Sequence, residues 1–310
     1  MATGSKSLST ADLVEARLRG KRLDVKSFVF EGVLLLSLLI ALLFLFLLLQ
    51  QLVSGGLAVL QERGIDFLTS QLSSLPERAG VQQGIMGSAM MMIVVVLVAF
   101  PLGIGAAVYL EEYASDTRFA RFLSVNIRNL AGVPSVVYGL LGFAIFVQAL
   151  SGLTGGRSMI AGGLTLAVLV LPIVIITASE AIRAVPQSIR EAGYGVGATK
   201  WDVVRFLVLP SAAPGILTGT VLSLSRALGE TAPLILVGAV TGFFATGSQS
   251  LVETMRGRFT ALPMIVFNWA RQPSTDFRAL TSAAIIVLMV VILMANAAAI
   301  ILRNRYERKW

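Results

Sequence analysis

The amino-acid sequence predicts an all-α membrane protein with six transmembrane helices. Hydrophobic residues make up 56% of the 310 residues and charged residues only 14%, whereas a soluble domain carries about a quarter charged residues. The mean hydropathy is +0.83. A helix needs about 20 apolar residues to cross the hydrocarbon core of a bilayer. Six segments meet this requirement: residues 30–52, 84–110, 133–151, 159–181, 214–240 and 281–302.

The first span is expected to remain in the protein. It contains the run VLLLSLLIALLFLFLLL at 33–49, and no cleavage site of small residues follows that run. This is the pattern of a signal anchor and not of a removable signal peptide.

The distribution of Lys and Arg predicts the orientation of the spans. With a cytoplasmic N-terminus, 17 of the 25 Lys and Arg residues fall in cytoplasmic segments and seven in external ones. Because positive charge accumulates on the cytoplasmic side, we expect a multi-pass inner-membrane protein with both termini in the cytoplasm. The predicted parts are a cytoplasmic tail, 1–29, and one six-span domain, 30–310, that includes a cytoplasmic loop at 186–212. The chain carries a net charge of +8. Because we expect it to lie in a membrane, its expected partner is membrane lipid, and no nucleic-acid partner is expected.

Small residues and prolines distinguish the fourth and fifth spans. Small residues allow the backbones of neighbouring helices to approach closely. Proline interrupts helical hydrogen bonding, which is tolerated where neighbours or water satisfy the carbonyls that it leaves unpaired. These residues are Ala161, Gly162, Gly163, Pro172, Gly215, Gly219 and Pro233. The two spans are therefore expected to line the interior of the bundle.

The absence of two residue types limits the chemistry of the chain. Cysteine and histidine are both missing, which removes most zinc, haem and Ser-His-Asp sites. Residues 193–200, GYGVGATK, imitate a phosphate-binding loop. The Walker pattern, however, requires Gly before Lys and Ser or Thr after it, whereas Lys200 here lies between Thr199 and Trp201. We expect no catalytic residue, no metal site and no cofactor bound by this chain.

The external segment 241–280 contains the run TALPMIVFNWA at 260–270. Its apolar side chains predict a short helix at the membrane interface, with the Trp269 indole at the level of the headgroups. A re-entrant segment is the alternative.

A short amphipathic helix is predicted within the cytoplasmic loop. Residues 198–208 place apolar side chains on a helix whose other positions are charged, which suits a groove in another protein. The apolar positions are Trp201, Val203, Val204, Phe206 and Leu207. Leu209–Pro210 is expected to end the helix, because the residue before proline disfavours helical geometry. A helix lying on lipid headgroups is the alternative.

Two charged residues lie within the fifth span. Arg226 and Glu230 are four residues apart, which places them on one face of a helix. Charges inside a membrane are costly and usually face a bundle interior or a water-filled cavity. Arg226 suits an oxyanion, because its planar guanidinium offers parallel donors. The predicted substrate path comprises Arg226, Glu230 and Thr231, and a structural ion pair is the alternative. Glu180 and Arg183 form a second candidate pair.

The cytoplasmic loop resembles the signature loop of ABC-importer permeases. That signature is Glu-Ala-Ala, three residues, Gly, nine residues, Ile, one residue and Leu-Pro. Glu191, Ala192, Gly197 and Pro210 occupy matching positions, whereas Gly193 replaces the second Ala and Leu207 replaces Ile. The resemblance implies that the loop contacts an ATPase through the residues Glu191, Ala192, Gly197, Trp201, Leu207 and Pro210.

A closer resemblance covers residues 84–310. The runs GETAPL at 229–234, LAGVPSVVYGLLG at 130–142 and TALPMIVFNWA resemble the PstA-type permeases of bacterial phosphate ABC importers. The resemblance implies a type I ABC-importer permease architecture and phosphate as the substrate. It also implies three partners: a PstC-like second permease in a heterodimer, a PstB-like ATPase dimer that binds ATP and Mg, and a PstS-like phosphate-binding protein.

Three other functions are compatible with parts of the sequence. The loop alone would also fit an ABC permease for molybdate or sulfate. A proton-coupled secondary transporter could use Glu230 as its proton carrier, although it would not need the loop. A membrane-embedded enzyme is disfavoured, because the chain has no His, no Cys and no paired-carboxylate motif.

Overall fold

The computed structural model of the chain describes residues 25–114, 117–240 and 251–306. The described residues contain helices and no strand, which confirms the all-α prediction. Most of the predicted tail 1–29 lies outside them, as do residues 241–250 of the external segment and residues 307–310 at the C-terminus.

Helices of very different lengths follow one another along the chain. In order they are α1 (Val25–Thr69), α2 (Gln82–Val108), α3 (Arg118–Ala131), α4 (Ser135–Gly142), α5 (Ser151–Thr154), α6 (Met159–Arg183), α7 (Gln187–Gly195), α8 (Lys200–Val203), α9 (Leu209–Gly229), α10 (Ala232–Val237), α11 (Leu251–Arg256), α12 (Leu262–Ala270) and α13 (Thr275–Tyr306). Wider π-helical turns extend α2, α4 and α8 over Tyr109–Tyr113, Phe143–Ala149 and Val204–Val208.

The described residues contain five or six candidate membrane spans. Five continuous helical stretches are long and apolar enough: Lys26–Thr69, Gln82–Tyr113, Met159–Arg183, Lys200–Gly229 and Thr275–Arg305. The sixth candidate is a bent pair, Arg118–Ala131 and Ser135–Ala149, whose axes differ by 103°. The predicted third span, 133–151, corresponds to the second member of this pair. The chain is therefore a multi-pass membrane protein of the predicted class.

The chain divides into two compact units, with the boundary in α1 between Gln51 and Leu52. In the first unit α1 is a regular apolar helix. In the second unit α1 changes direction at Gly64, whose φ of 47° is a left-handed conformation that glycine adopts without steric cost. The domain boundary predicted after residue 29 stays a prediction.

Small residues hold α6 close to its neighbours in the second unit. A methyl group on Gly163 would lie 2.7 Å from Val94 Cβ in α2, and one on Gly215 would lie 2.7 Å from Ala181 Cβ in α6. A methyl group on Gly219 would lie closer still to the Thr177 side chain. Only a residue without a side chain fits such approaches. The predicted close packing of the fourth and fifth spans is confirmed.

The predicted fifth span, 214–240, is not one helix. Helix α9 ends at Gly229, and Glu230 is extended with φ −79° and ψ 123° before α10 begins at Ala232. Pro233 lies in the first turn of α10, where its missing N–H costs no hydrogen bond. It therefore starts a helix and does not interrupt one.

The indole of Trp269 is buried inside the protein and does not face lipid headgroups. It is 3% exposed, and its ring centroid lies 6.3 Å from that of Phe67 and 5.9 Å from that of Phe277. The segment 260–270 does form a helix, α12, but Trp269 packs into this aromatic cluster, where burial of the large ring is more favourable than partial exposure. The prediction of an interfacial Trp269 is wrong.

Candidate functional site

The loop motif at 186–212 folds into two short helices, α7 and α8, joined by a tight turn. Gly197 forms the turn with φ 80°, a conformation that side chains other than glycine rarely adopt. Thr199 then caps α8: its hydroxyl accepts from the Asp202 N–H at 3.3 Å, and the Asp202 carboxylate accepts from the Thr199 N–H at 3.2 Å. This reciprocal capping box fixes the start of the helix.

The apolar residues of α8 and its π-helical turn divide between two environments. Val203 and Val204 are fully buried, and Leu207 is half-buried against the same cluster of residues from α2, α6 and α9. Trp201 and Phe206 are 54% and 61% exposed. The predicted single docking face is therefore wrong, because its aliphatic members anchor the loop to its own bundle.

The replacement of the second Ala of the signature by Gly193 has a packing cause. A methyl group at this position would lie 2.7 Å from Leu207 Cδ1 and 2.8 Å from Val203 Cγ2. Helix α7 therefore approaches α8 more closely than alanine would allow. Glu191 and Ala192 precede this contact and are exposed.

The prediction that Leu209–Pro210 ends the helix is wrong. The backbone is helical without a break from Lys200 to Gly229, over 30 residues. The Leu209 N–H bonds to the carbonyl of Val204, five residues back, in the π-helical turn Val204–Val208. Such a wide turn accommodates the hydrogen bond and the space that a proline denies to a regular helix. The loop and the charged span therefore belong to one rod.

A nearly buried ion pair fixes α7 to the rest of the bundle. Arg190 Nη2 lies 2.7 Å from Glu112 Oε1, and the two side chains are 14% and 6% exposed. The same guanidinium donates to the carbonyls of Val185 at 2.7 Å and Ile182 at 2.9 Å. Arg190 thus joins the end of α2 to the C-terminal carbonyls of α6, which attract a cation.

A second pair lies at the surface beside the first. Arg183 donates to both carboxylate oxygens of Glu111, at 2.7 and 3.2 Å, and its side chain is 61% exposed. The structure pairs Arg183 with Glu111 and not with Glu180, because the π-helical turn Tyr109–Tyr113 brings Glu111 alongside the end of α6.

Arg226 and Glu230 form an ion pair at the end of α9. Arg226 Nε lies 3.3 Å from Glu230 Oε1, and the side chains are 42% and 19% exposed. The prediction that the two residues share one helix face is wrong, because the helix ends at Gly229 and Glu230 is extended. Thr231 follows at the break and is half-buried. Partial exposure leaves the pair open to a further ligand.

Two of the sequence motifs meet in space beside this pair. Helix α10, from GETAPL, packs against α4, from LAGVPSVVYGLLG. A methyl group on Gly139 would lie 2.8 Å from Pro233 Cα, so the contact is backbone to backbone. The Tyr138 hydroxyl donates to the Leu130 carbonyl at 2.8 Å, which ties α4 to the end of α3 across the bend.

Sequence reasoning missed several polar residues that the fold brings together. Glu112 and Arg190 are 78 residues apart, and only the fold pairs them. Asn296 was also missed, although a lone amide inside the apolar last span is a signal of burial or function. Its Oδ1 accepts from the Ser225 hydroxyl at 2.6 Å. Within the described ranges no group of three or more Asp or Glu side chains is arranged to hold a metal ion.

Comparisons with known proteins place the chain in a transport family. The family described as binding-protein-dependent transport system inner membrane component matches residues 99–308. The probable ABC transporter permease protein YqgI of Bacillus subtilis is 34% identical over 56% of this chain and 58% of YqgI. The phosphate transport system permease protein PstA of Haemophilus influenzae is 31% identical over 81% of this chain and 84% of that protein.

A solved structure supports the fold. A chain of the inward-facing MetNI methionine ABC transporter matches 74% of this chain over 96% of its own length, with a TM-score of 0.57 and 17% identity. The permease fold is therefore present in the described helices, at a level of identity that supports architecture and nothing finer.

The Arg190–Glu112 pair is expected to contribute much more to stability than the Arg183–Glu111 pair. Arg190→Gln should lower the free energy of unfolding by about 3 kcal/mol, because it leaves the Glu112 charge buried without a partner. Arg183→Gln makes the same chemical change at an exposed pair and should cost under about 1 kcal/mol. Denaturation of the two purified variants in detergent compares the losses.

The double variant Glu112→Gln/Arg190→Gln provides the control for the buried pair. It removes the unpaired charge, so it should be more stable than Arg190→Gln alone. Equal losses for Arg190→Gln and Arg183→Gln would contradict the assignment of α7 anchoring to Arg190.

Proposed function

The chain belongs to the binding-protein-dependent transport system inner membrane component family, among its PstA-type permeases, and we propose that it is the transmembrane permease subunit of an ATP-driven inorganic phosphate importer. In this role it forms half of the translocation path and connects that path to a cytoplasmic ATPase. The chain itself hydrolyses nothing; ATP and Mg bind to the partner subunit.

The observation that carries the proposal is the continuous helix Lys200–Gly229. One end of this helix carries the exposed aromatic residues of the loop. The other end carries Arg226, about one helical turn before the helix breaks at Glu230. An α-helix rises about 1.5 Å per residue, so the rod joins two places about 40 Å apart. Pro214 removes one backbone hydrogen bond within this helix, but no non-helical segment separates the loop from Arg226.

The contact with the ATPase is proposed to consist of the exposed members of the loop. Glu191, Ala192, Trp201 and Phe206 are all exposed, and an aromatic side chain on a short helix suits a groove in a soluble partner. Gly197, Leu207 and Pro210 act differently. They shape the turn, anchor the helix and pass it into the membrane, so they position the contact surface.

The site for the substrate is proposed at Arg226, Glu230 and Thr231. The partly exposed guanidinium attracts an oxyanion, and Glu230, 3.3 Å from Arg226 Nε, keeps the site near neutral when it is empty. A phosphate that approaches replaces Glu230 as the partner of Arg226. Exchange of this kind binds the anion without trapping it, which transport requires.

The proposed assembly has three further components. A PstC-like permease supplies the other half of the path, a PstB-like ATPase dimer lies on the cytoplasmic face, and a PstS-like protein delivers phosphate from outside. The excess of Lys and Arg in the segments at the loop end of the bundle supports an orientation with both termini and the loop in the cytoplasm.

Arg226→Gln is expected to lower ATP-driven phosphate uptake by about 100-fold in the assembled complex, because a charge-assisted hydrogen bond contributes up to about 3 kcal/mol. Arg226→Lys should restore part of the uptake, since it keeps the charge and loses the bidentate geometry. Uptake of labelled phosphate into vesicles measures both. Arg278→Gln makes the same change at an exposed position of α13 and serves as the control.

The result depends on assembly being intact. Co-purification of all subunits with each variant shows whether the complex has formed. A fully assembled Arg226→Gln complex with normal uptake would remove this residue from the mechanism, and loss of assembly would favour the structural ion pair.

The exposed part of the loop is expected to crosslink to the ATPase. The chain has no native cysteine, so cysteines at Trp201 or Phe206 can be paired with cysteines on the partner without background from this chain. Val203 is fully buried, and a cysteine there should not crosslink. Equal crosslinking at Val203 and Trp201, or none at either exposed position, would show that this face of the loop is not the contact.

A further inference from the structure

A groove of about 630 Å³ lies between α6, α9 and α13. It occupies the half of the bundle in which α6 ends and α9 begins, which is the cytoplasmic half in the proposed orientation. Small and apolar residues form most of its exposed wall. Its polar side chains are Thr177, Glu180, Thr218, Ser225, Asn296 and Arg303.

This polarity is unusual for a crevice between membrane helices. Polar side chains inside a span normally face a bundle interior or water, because hydrocarbon cannot satisfy them. Here they come from three helices and occur at several depths between the charged end, with Glu180 and Arg303, and the deep end, with Ser225 and Asn296. The hydroxyls of Thr177, Thr218 and Ser225 lie within hydrogen-bond distance of carbonyls of their own helices. A lipid chain would leave the Asn296 amide N–H and the Glu180 carboxylate without polar partners, whereas water and a polar solute would supply them.

Hydrogen-bond donors lie at both ends of the groove. The Ser225 hydroxyl oxygen lies 2.6 Å from Asn296 Oδ1 and 2.9 Å from the Val221 carbonyl oxygen. The closer contact orients the amide, and in the described ranges the Asn296 Nδ2 group has no hydrogen-bond partner. At the open end Arg303 Nη1 is 3.5 Å from the Thr218 hydroxyl, and its Nε and Nη2 are 3.4 and 3.3 Å from Asn304 Oδ1. These contacts are long and weak, and within the same part of the chain Arg303 forms no ion pair. Both groups can donate to an oxyanion.

The groove leads toward Arg226 along one face of α9. Thr218 and Leu222 line it, and Arg226 follows Leu222 by four residues, which is about one helical turn. Leu222 is 61% exposed. This face of α9, from Thr218 to Arg226, therefore connects the proposed substrate site to the charged end of the groove over about 12 Å.

We propose that this groove forms the cytoplasmic half of the translocation path, through which the oxyanion passes from Arg226 to Asn296 and then to Arg303. The proposal rests on the proposed import function and assigns its release route. Glu180 shares the open end with Arg303, and its negative charge opposes retention of the anion. The groove is thus a series of weak sites that favours release.

Reaction of introduced cysteines with a membrane-impermeant, anionic methanethiosulfonate reagent tests the route. Thr218→Cys and Leu222→Cys are made in this naturally cysteine-free chain, assembled with the partner subunits in inside-out vesicles without nucleotide. Ile301→Cys is the control, because Ile301 is 69% exposed and lies on the other side of α13, near the depth of Arg303. The two groove cysteines should react at least tenfold faster than the control.

Inorganic phosphate provides the second measurement. It should slow the reaction of Leu222→Cys several-fold and leave that of Ile301→Cys unchanged, whereas chloride at equal ionic strength should protect neither. Groove cysteines that react no faster than the control would show that lipid or the second permease fills the groove, and the proposal would be wrong. Fast reaction without protection by phosphate would also overturn it, since the water-filled groove would then lie off the path.

The two proposals fail in different ways. Phosphate uptake by the unmodified complex is measured in right-side-out vesicles that contain ATP, and this measurement needs no substitution in the groove. Absence of that uptake overturns the import function and with it the route. Normal uptake with unreactive groove cysteines overturns the route alone. If a cysteine variant does not assemble, Gly215→Ala is tested in its place. This substitution narrows the groove wall against Ala181 and should slow phosphate uptake.

Discussion

The proposed coupling of the loop to the membrane depends on one continuous helix that runs from Lys200 to Gly229. Its first turns lie in the loop and expose aromatic side chains, while its last turn carries Arg226. A regular helix would not pass Pro210 without a lost hydrogen bond and a kink. The π-helical turn Val204–Val208 accommodates the proline and keeps the rod intact. A mechanical link between the loop and the proposed substrate site relies on this continuity.

The two ends of the rod are held in different ways. At the loop end, buried Val203 packs against residues of α2 and α6, and the Arg190–Glu112 pair fixes the neighbouring helix α7. At the other end the helix stops at Gly229, and the extended Glu230 reaches back to Arg226. A break inside a membrane span leaves carbonyl groups unpaired, and a cation in the last turn offsets them. The charged pair is therefore also a device that permits the break.

Local signals in the sequence predicted the class of the fold and the position of the loop. Apolar length located the spans, and the glycines that allow close approach, such as Gly163 and Gly219, lie at helix contacts. The Glu-Ala…Gly…Leu-Pro spacing located the loop, because a turn at Gly197 needs a residue that tolerates a positive φ. These features follow from a few neighbouring residues, so the sequence contains them directly.

The features that could not be predicted depend on contacts between distant residues. Nothing near Trp269 indicates that Phe67 and Phe277 will enclose it, and nothing near Val203 separates it from the exposed Trp201. The pairing of Arg190 with Glu112 and of Ser225 with Asn296 likewise requires the packed bundle. A single sequence contains no distance information of this kind.

Reconstitution of the chain with a PstC-like permease, a PstB-like ATPase and a PstS-like binding protein in liposomes tests the central claim most directly, by uptake of labelled phosphate, sulfate and molybdate with and without ATP. The account predicts phosphate uptake that requires ATP and is indifferent to a proton gradient. Uptake driven by a proton gradient without ATP, or ATP-driven uptake of sulfate or molybdate in place of phosphate, would contradict it.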